Sequence, residues 1–122
     1  MQQLLPHDHG RDTHVILEAM PKGEDFEKTA GVFSLLSDGT RLKIFWLLCH
    51  SEECVYNIAA AIGMSAPAVS HHLRALKQSG LIISRRLGKE THYSLNDTEE
   101  ARLVHTMVDA MFRIKCPREA DV

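Results

Sequence analysis

Apolar positions along the chain fall into four helical stretches, one alternating stretch and one further helical stretch. From Glu24 to Asp38, the residues Phe26, Ala30, Phe33 and Leu36 recur at helical spacing and predict a first helix ending near Gly39. A second, capped by Asp38 or Thr40, carries Leu42, Ile44, Phe45, Leu47 and Leu48, an apolar surface broad enough for the centre of the core. Val55, Ile58, Ala59 and Ile62 keep the i, i+3, i+4, i+7 spacing of an amphipathic helix, and Gly63 supplies the permissive backbone that ends it. Ser65 starts the next helix as its N-cap, with Pro67 in the first turn, where a missing amide costs nothing. Val69, His72, Leu73 and Leu76 mark its buried side. Opposite them lie Ala66, Ser70, His71, Arg74 and Lys77, small and polar at first and basic further on. Two short helices joined by a tight turn, the second with one face left for contact, predict a helix-turn-helix whose second helix can lie in a DNA major groove. An ordinary helical hairpin in a small bundle is the plainer reading of the same spacing.

After Gly80 the period changes from 3.6 to 2. Leu81 and Ile83 alternate with Ile82 and Ser84, the pattern breaks at Leu87-Gly88-Lys89, and it resumes as Thr91, Tyr93 and Leu95 against His92 and Ser94. This predicts a hairpin with Arg85, Arg86 and Lys89 at or beside its tip. A basic hairpin directly after a DNA-reading helix is a wing, and its cations give affinity and salt dependence rather than base reading. A last helix, capped by Asn96 or Asp97, begins with Glu99 and Glu100 at the positive end of its dipole. Its stripe of Leu103, Val104, Met107, Val108, Met111 and Phe112 is surplus to the core and predicts a dimer interface, with packing onto the chain's own core as the alternative. The expected fold is mainly α with a small β-hairpin (α+β), a winged helix-turn-helix dimerising through terminal helices. Residues 1–23 read as a flexible N-terminal arm with a helical turn near His14 to Ala19, 24–115 as the DNA-binding and dimerisation domain, and 116–122 as a C-terminal tail.

Charge sharpens this picture. The net charge of -2 conceals a basic segment: Ser65 to His92 holds five Lys or Arg against the single Glu90, while the remaining residues hold nine against fifteen. That asymmetry is the electrostatic footprint of a local phosphate-binding surface. The length of 122 residues allows one compact domain, for which dimerisation is a natural supplement. The apolar run Ile44 to Cys49 is only six residues, and the N-terminal segment lacks a signal-peptide pattern, so the expectation is a cytoplasmic protein with no membrane partner. No glycine-rich loop or nucleophile turn is visible, and the expectation is that the chain is not an enzyme. Three cysteines, Cys49, Cys54 and Cys116, are candidates for metal or redox chemistry. Cys49 follows IFWLL and reads as a small core residue, whereas Cys54 sits among polar residues at a helix start.

The strings LSDGTRLKIFWLL, CVYNIAAAIGMSAPAVSHHLRALKQSGLI and GKETHYSL, in this order, resemble the ArsR/SmtB family of metal-responsive winged-helix repressors over about residues 26 to 114. The resemblance implies a homodimeric repressor that occupies an operator on double-stranded DNA, of palindromic form, and releases it when an inducer binds. By position it places Ser65, Ser70, His71 and Arg74 towards the DNA, with Arg85, Arg86, Lys89 and His92 near the backbone. One sensing site of the family uses a Cys-x-Cys pair completed by ligands from the other subunit's arm. Here Cys54 keeps the first position, Tyr56 replaces the second, and the arm offers His7, His9 and His14, a donor set for zinc or cadmium as inducer. A second family site, on paired terminal helices, falls on Asp97, Glu99, Ala110 and Arg113, two of which cannot bind a metal. His105 and Asp109, at i and i+4, could form a displaced site, with a surface hydrogen bond as their more ordinary role. Two alternatives remain open: a thiol-based redox or sulfide-responsive repressor using Cys49 or Cys54 with Cys116, and a winged-helix protein-interaction module.

Overall fold

The computed structural model describes residues 5–113 and divides the chain into two compact units, 1–31 and 32–122. Cys116 and the predicted tail lie outside the described residues. The first unit contains α1 (Thr13–Glu18), within the segment read as an arm, and most of α2 (Gly23–Leu35). Glu24 and Asp25 occupy the first turn of α2, where the dipole favours anions. Val15, Ile16 and Phe26 are all exposed, and neither helix contributes a buried residue.

The second unit holds the end of α2 and then α3 (Gly39–His50), β1 (Glu53–Cys54), α4 (Val55–Ile62), α5 (Ala66–Gln78), β2 (Ile82–Leu87), β3 (Glu90–Leu95) and α6 (Glu99–Phe112). Asp38 caps α3, its Oδ1 accepting from Thr40 N at 2.9 Å and Arg41 N at 3.1 Å. The Arg41 amide, with that of Thr40, holds the Asp38 carboxyl below its ordinary range. Ile44, Phe45 and Leu48 of α3 are fully buried against Ile58, Val69, Leu73, Leu76, Leu81 and Ile82. α3 is thus the centre of the core, as its broad apolar surface predicts.

Three details differ from the sequence expectation. The sheet has three strands, not two: β1 pairs antiparallel with β3, Glu53 opposite Tyr93 and Cys54 opposite His92, giving the order β1-β3-β2. The hairpin itself pairs Ile82 with Leu95 through Leu87 with Glu90, around Gly88 at φ 63°. Its alternation is displaced, because Leu81 and Ile82 are both buried while Ile83 is exposed. Leu81 precedes the strand; after the left-handed Gly80 (φ 85°) its amide bonds Ser79 Oγ and its carbonyl accepts from Asn96 N, so it meets the core from a turn. The cap of α6 is Thr98 rather than Asn96 or Asp97, its hydroxyl accepting from Ala101 N at 3.1 Å. Asn96 instead donates to Gly80 O, and Asp97 pairs with Arg102.

Candidate nucleic-acid interface

The helix-turn-helix is built as its sequence dictates. Gly63 closes α4 at φ 78°, in the left-handed region, and the amides of Gly63 and Met64 both return to Ala59 O. Ser65 caps α5 by accepting from Ala68 N at 3.3 Å, with proline in the first turn. Val69, His72, Leu73 and Leu76 are buried, so the opposite face is held outward: His71, Arg74 and Lys77 are exposed and Ser70 half-buried. The basic residues of α5 therefore stand on solvent with their helix locked behind them.

His72 is the one buried polar side chain of this packing among the described residues. Arg41 Nε donates to its Nδ1 at 3.1 Å, and Arg41 Nη1 reaches Leu35 O at 3.4 Å. Arg41 thereby ties the end of α2 and the start of α3 to the back of α5. A donor aimed at Nδ1 requires that nitrogen to be unprotonated. Burial first, and then the Arg41 charge, push the His72 pKa below 6.5, against the smaller pull of Asp38 in the other direction. Arg41 is a positioning residue that sequence patterning missed; a cation in a first helical turn carries no periodic signal.

On the wing, Arg85, Arg86 and Lys89 are exposed and His92 is half-buried. They are not equally available. Glu52 grips Arg85 in a bidentate pair, Nε to Oε2 at 2.7 Å and Nη2 to Oε1 at 2.6 Å. That pair lowers the Glu52 pKa and raises that of Arg85. Arg86 Nε donates to Gly88 O at the turn, and His92 Nε2 lies 3.4 Å from Glu90 Oε1.

The metal ligands expected from the sequence fall in both units. His7 and His9 belong to the first, their ring centroids 6.0 Å apart, as does His14. Cys54 belongs to the second, where it is 4% exposed and sits at the start of α4 with its backbone paired to the His92 position. The polar neighbours of Cys54 in sequence conceal that burial. The predicted dimer stripe divides by environment. Val104 and Val108 are buried in the chain's own core, Met107 is half-buried, and Leu103, Met111 and Phe112 are exposed. With Phe33, Leu36 and Leu42, the residues Met107, Val108, Met111 and Phe112 line an apolar groove of about 300 Å³.

His105 and Asp109 do not form a surface hydrogen bond. Their side chains are 20% and 15% exposed, and His50 from the end of α3, 5% exposed, closes on the same carboxylate. No sequence spacing joins His50 to Asp109, 59 positions away. Among the described residues, no helix is long and apolar enough to cross a membrane.

Comparison with known proteins agrees with this architecture. The pattern described as "Bacterial regulatory protein, arsR family" matches residues 38–84, which span α3, the helix-turn-helix and the start of the wing. The chain is 39% identical over 83 residues to the transcriptional repressor SmtB homolog of Synechocystis sp., covering 68% of this chain and 63% of that protein's length. It is 37% identical over 86 residues to the cadmium resistance transcriptional regulatory protein CadC of Listeria innocua, covering 70% of this chain and 72% of that one. A solution structure of a homodimeric winged helix-turn-helix DNA-binding domain from Mycobacterium bovis, a possible ArsR-family transcriptional regulator, aligns with TM-score 0.67 at 33% identity, covering 75% and 84% of the two chains. Regulators of this kind are not enzymes, in agreement with the sequence. With the helix-turn-helix, the basic wing and these likenesses in one continuous stretch, the chain belongs to the arsR family of bacterial regulatory proteins.

Proposed function

We propose that the protein is a homodimeric transcriptional repressor that holds double-stranded operator DNA through α5 and the wing, and releases it on binding a metal ion of the zinc or cadmium type. The observation that carries this reading is the division of α5 into a locked inner face and an outer face of Ser70, His71, Arg74 and Lys77 beside a basic hairpin. Ser65 stands at the N-terminal end of that face, and Arg86, Lys89 and His92 extend it onto the wing. The exposed Leu103, Met111 and Phe112, next to the apolar groove, supply the surface for a second copy, so that two recognition helices meet a palindromic site. The relatives named for cadmium resistance and for SmtB support a metal as inducer. Cys54 with His7, His9 and His14 of the partner's arm is the thiolate-containing site, suited to a soft ion such as cadmium. The protein acts in the cytoplasm, where its thiols stay reduced.

The test is fluorescence anisotropy of the reduced, metal-free protein on labelled DNA from its own upstream region. Tight binding that weakens steeply with salt is expected, with Arg74→Ala reducing affinity about ten- to a hundredfold, the range of about 1–3 kcal/mol for a base-reading arginine. Zinc or cadmium should release the DNA. Binding that ignores salt and Arg74 overturns the DNA reading, and release by an oxidant but no metal would move the sensor to the cysteines.

A further inference from the structure

His50, His105 and Asp109 place three potential ligand atoms within 4.8 Å of one another, beneath the surface where α3 meets α6. His50 Nε2 lies 3.2 Å from Asp109 Oδ1, and His105 Nε2 lies 2.8 Å from Asp109 Oδ2. The second contact is close enough for an ion pair, yet that buried nitrogen makes no hydrogen bond of acceptable geometry. The two imidazole rings meet edge to face at 4.8 Å. Both nitrogens thus converge on one carboxylate: His50 hydrogen-bonds it, while the buried His105 Nε2 beside it makes no hydrogen bond, an arrangement suited to holding a cation.

We propose that His50, His105 and Asp109 form a binding site for a divalent cation of the zinc class within one subunit. Ligand atoms of a tetrahedral zinc ion stand about 3.3–3.6 Å apart, given bonds of about 2.0–2.2 Å, and the His50 and Asp109 atoms, at 3.2 Å, are close to that spacing. Two imidazoles and a carboxylate are borderline-hard donors, which suits zinc or cobalt and disfavours the soft ions that a thiolate attracts. The fourth position is left for water. The site is separate in chain position and in chemistry from Cys54 and the arm histidines. It deepens the proposed function and rests on it only for the consequence of binding. α6 carries the exposed apolar face offered to a second copy, and α3 is tied through Arg41 to His72 behind the DNA-reading helix. An ion joining α3 to α6 would fix the angle between the dimerising and DNA-reading parts of each subunit.

The experiment uses the full, reduced chain stripped of metal and titrated with cobalt(II) chloride. Trp46, the only tryptophan, packs on His50 with ring centroids 4.7 Å apart, so its emission reports the site directly. We expect one cobalt per chain that quenches Trp46 and gives visible ligand-field absorption without a thiolate band, distinct from any cobalt taken up at Cys54, and displacement of it by zinc. His105→Gln and Asp109→Asn should each weaken this binding at least tenfold while Cys54→Ser leaves it unchanged. Circular dichroism of the metal-free variants verifies that they fold. Trp46-quenching cobalt binding that survives both His105→Gln and Asp109→Asn, that disappears in Cys54→Ser together with a near-ultraviolet thiolate band, or that never occurs would overturn the proposal. Operator binding by the metal-free protein is measured in parallel, and its failure would sink the repressor reading without touching the cobalt result.

Discussion

His72 shows how one residue can serve two purposes at once. It was legible as a buried position of α5 from its spacing with Val69, Leu73 and Leu76, but its partner was not, because Arg41 lies 31 residues away. The pair has a pH consequence. The folded pKa lies below the ordinary 6.5, so between the two values the unfolded chain binds more protons than the folded one. Stability is therefore fully present above the ordinary histidine value and falls as pH drops through that window, where Asp38, Arg41 and His71 are the charged and titratable neighbours of the ring. Thermal melts from about pH 7.5 down to about pH 5 should show a declining midpoint. In His72→Gln, whose amide oxygen can still accept from Arg41, the decline should be shallower; an equal slope would assign the effect to other groups. His50 was missed for a similar reason. At the end of an apolar helix it reads as a basic residue favoured by the dipole, and only the folded chain brings it to Asp109.

At the scale of elements, the helices were readable and the strands less so. Gly63, Ser65 and the four inward residues of α5 follow from local backbone chemistry, which sequence records directly. β1 is two residues long and exists only because β3 lies beside it, so no local pattern could announce it. Ile82 and Ile83 exchange roles because the turn at Gly80 sets the phase of the strand, and alternation alone gives no phase. The wing also carries a restraint invisible to composition, since the Glu52 carboxylate already occupies Arg85. Glu52→Gln should release that guanidinium to phosphate. Operator affinity is then expected to rise severalfold at low salt, and the salt slope to steepen by about one unit. Anisotropy titrations across a salt series measure both, and an unchanged slope would mean that Arg85 never faces the DNA.

At the scale of the whole molecule, α6 divides its labour between Ala101, Val104 and Val108, which complete the core, and Leu103, Met111 and Phe112, which face outward. The sequence showed a broad stripe but not where it splits, because burial against the chain itself and the proposed contact with a second copy demand the same apolar chemistry. Met111→Glu tests the outward half. Met111 is 76% exposed, so the monomer should fold normally. A charge at a subunit contact should weaken the dimer at least tenfold, about 1.4 kcal/mol, with operator affinity falling alongside. Analytical ultracentrifugation reads the first effect, and an unaltered dimer would place the interface elsewhere. The position of α6 and β3 also bears on synthesis. Ile44, Phe45 and Leu48 leave the ribosome before Leu81, Ile82, Ala101, Val104 and Val108, which share their core, have been made. β1 likewise waits for β3 before its backbone is paired. The reading head of this regulator therefore cannot close until α6, which follows it in the chain, has left the exit tunnel.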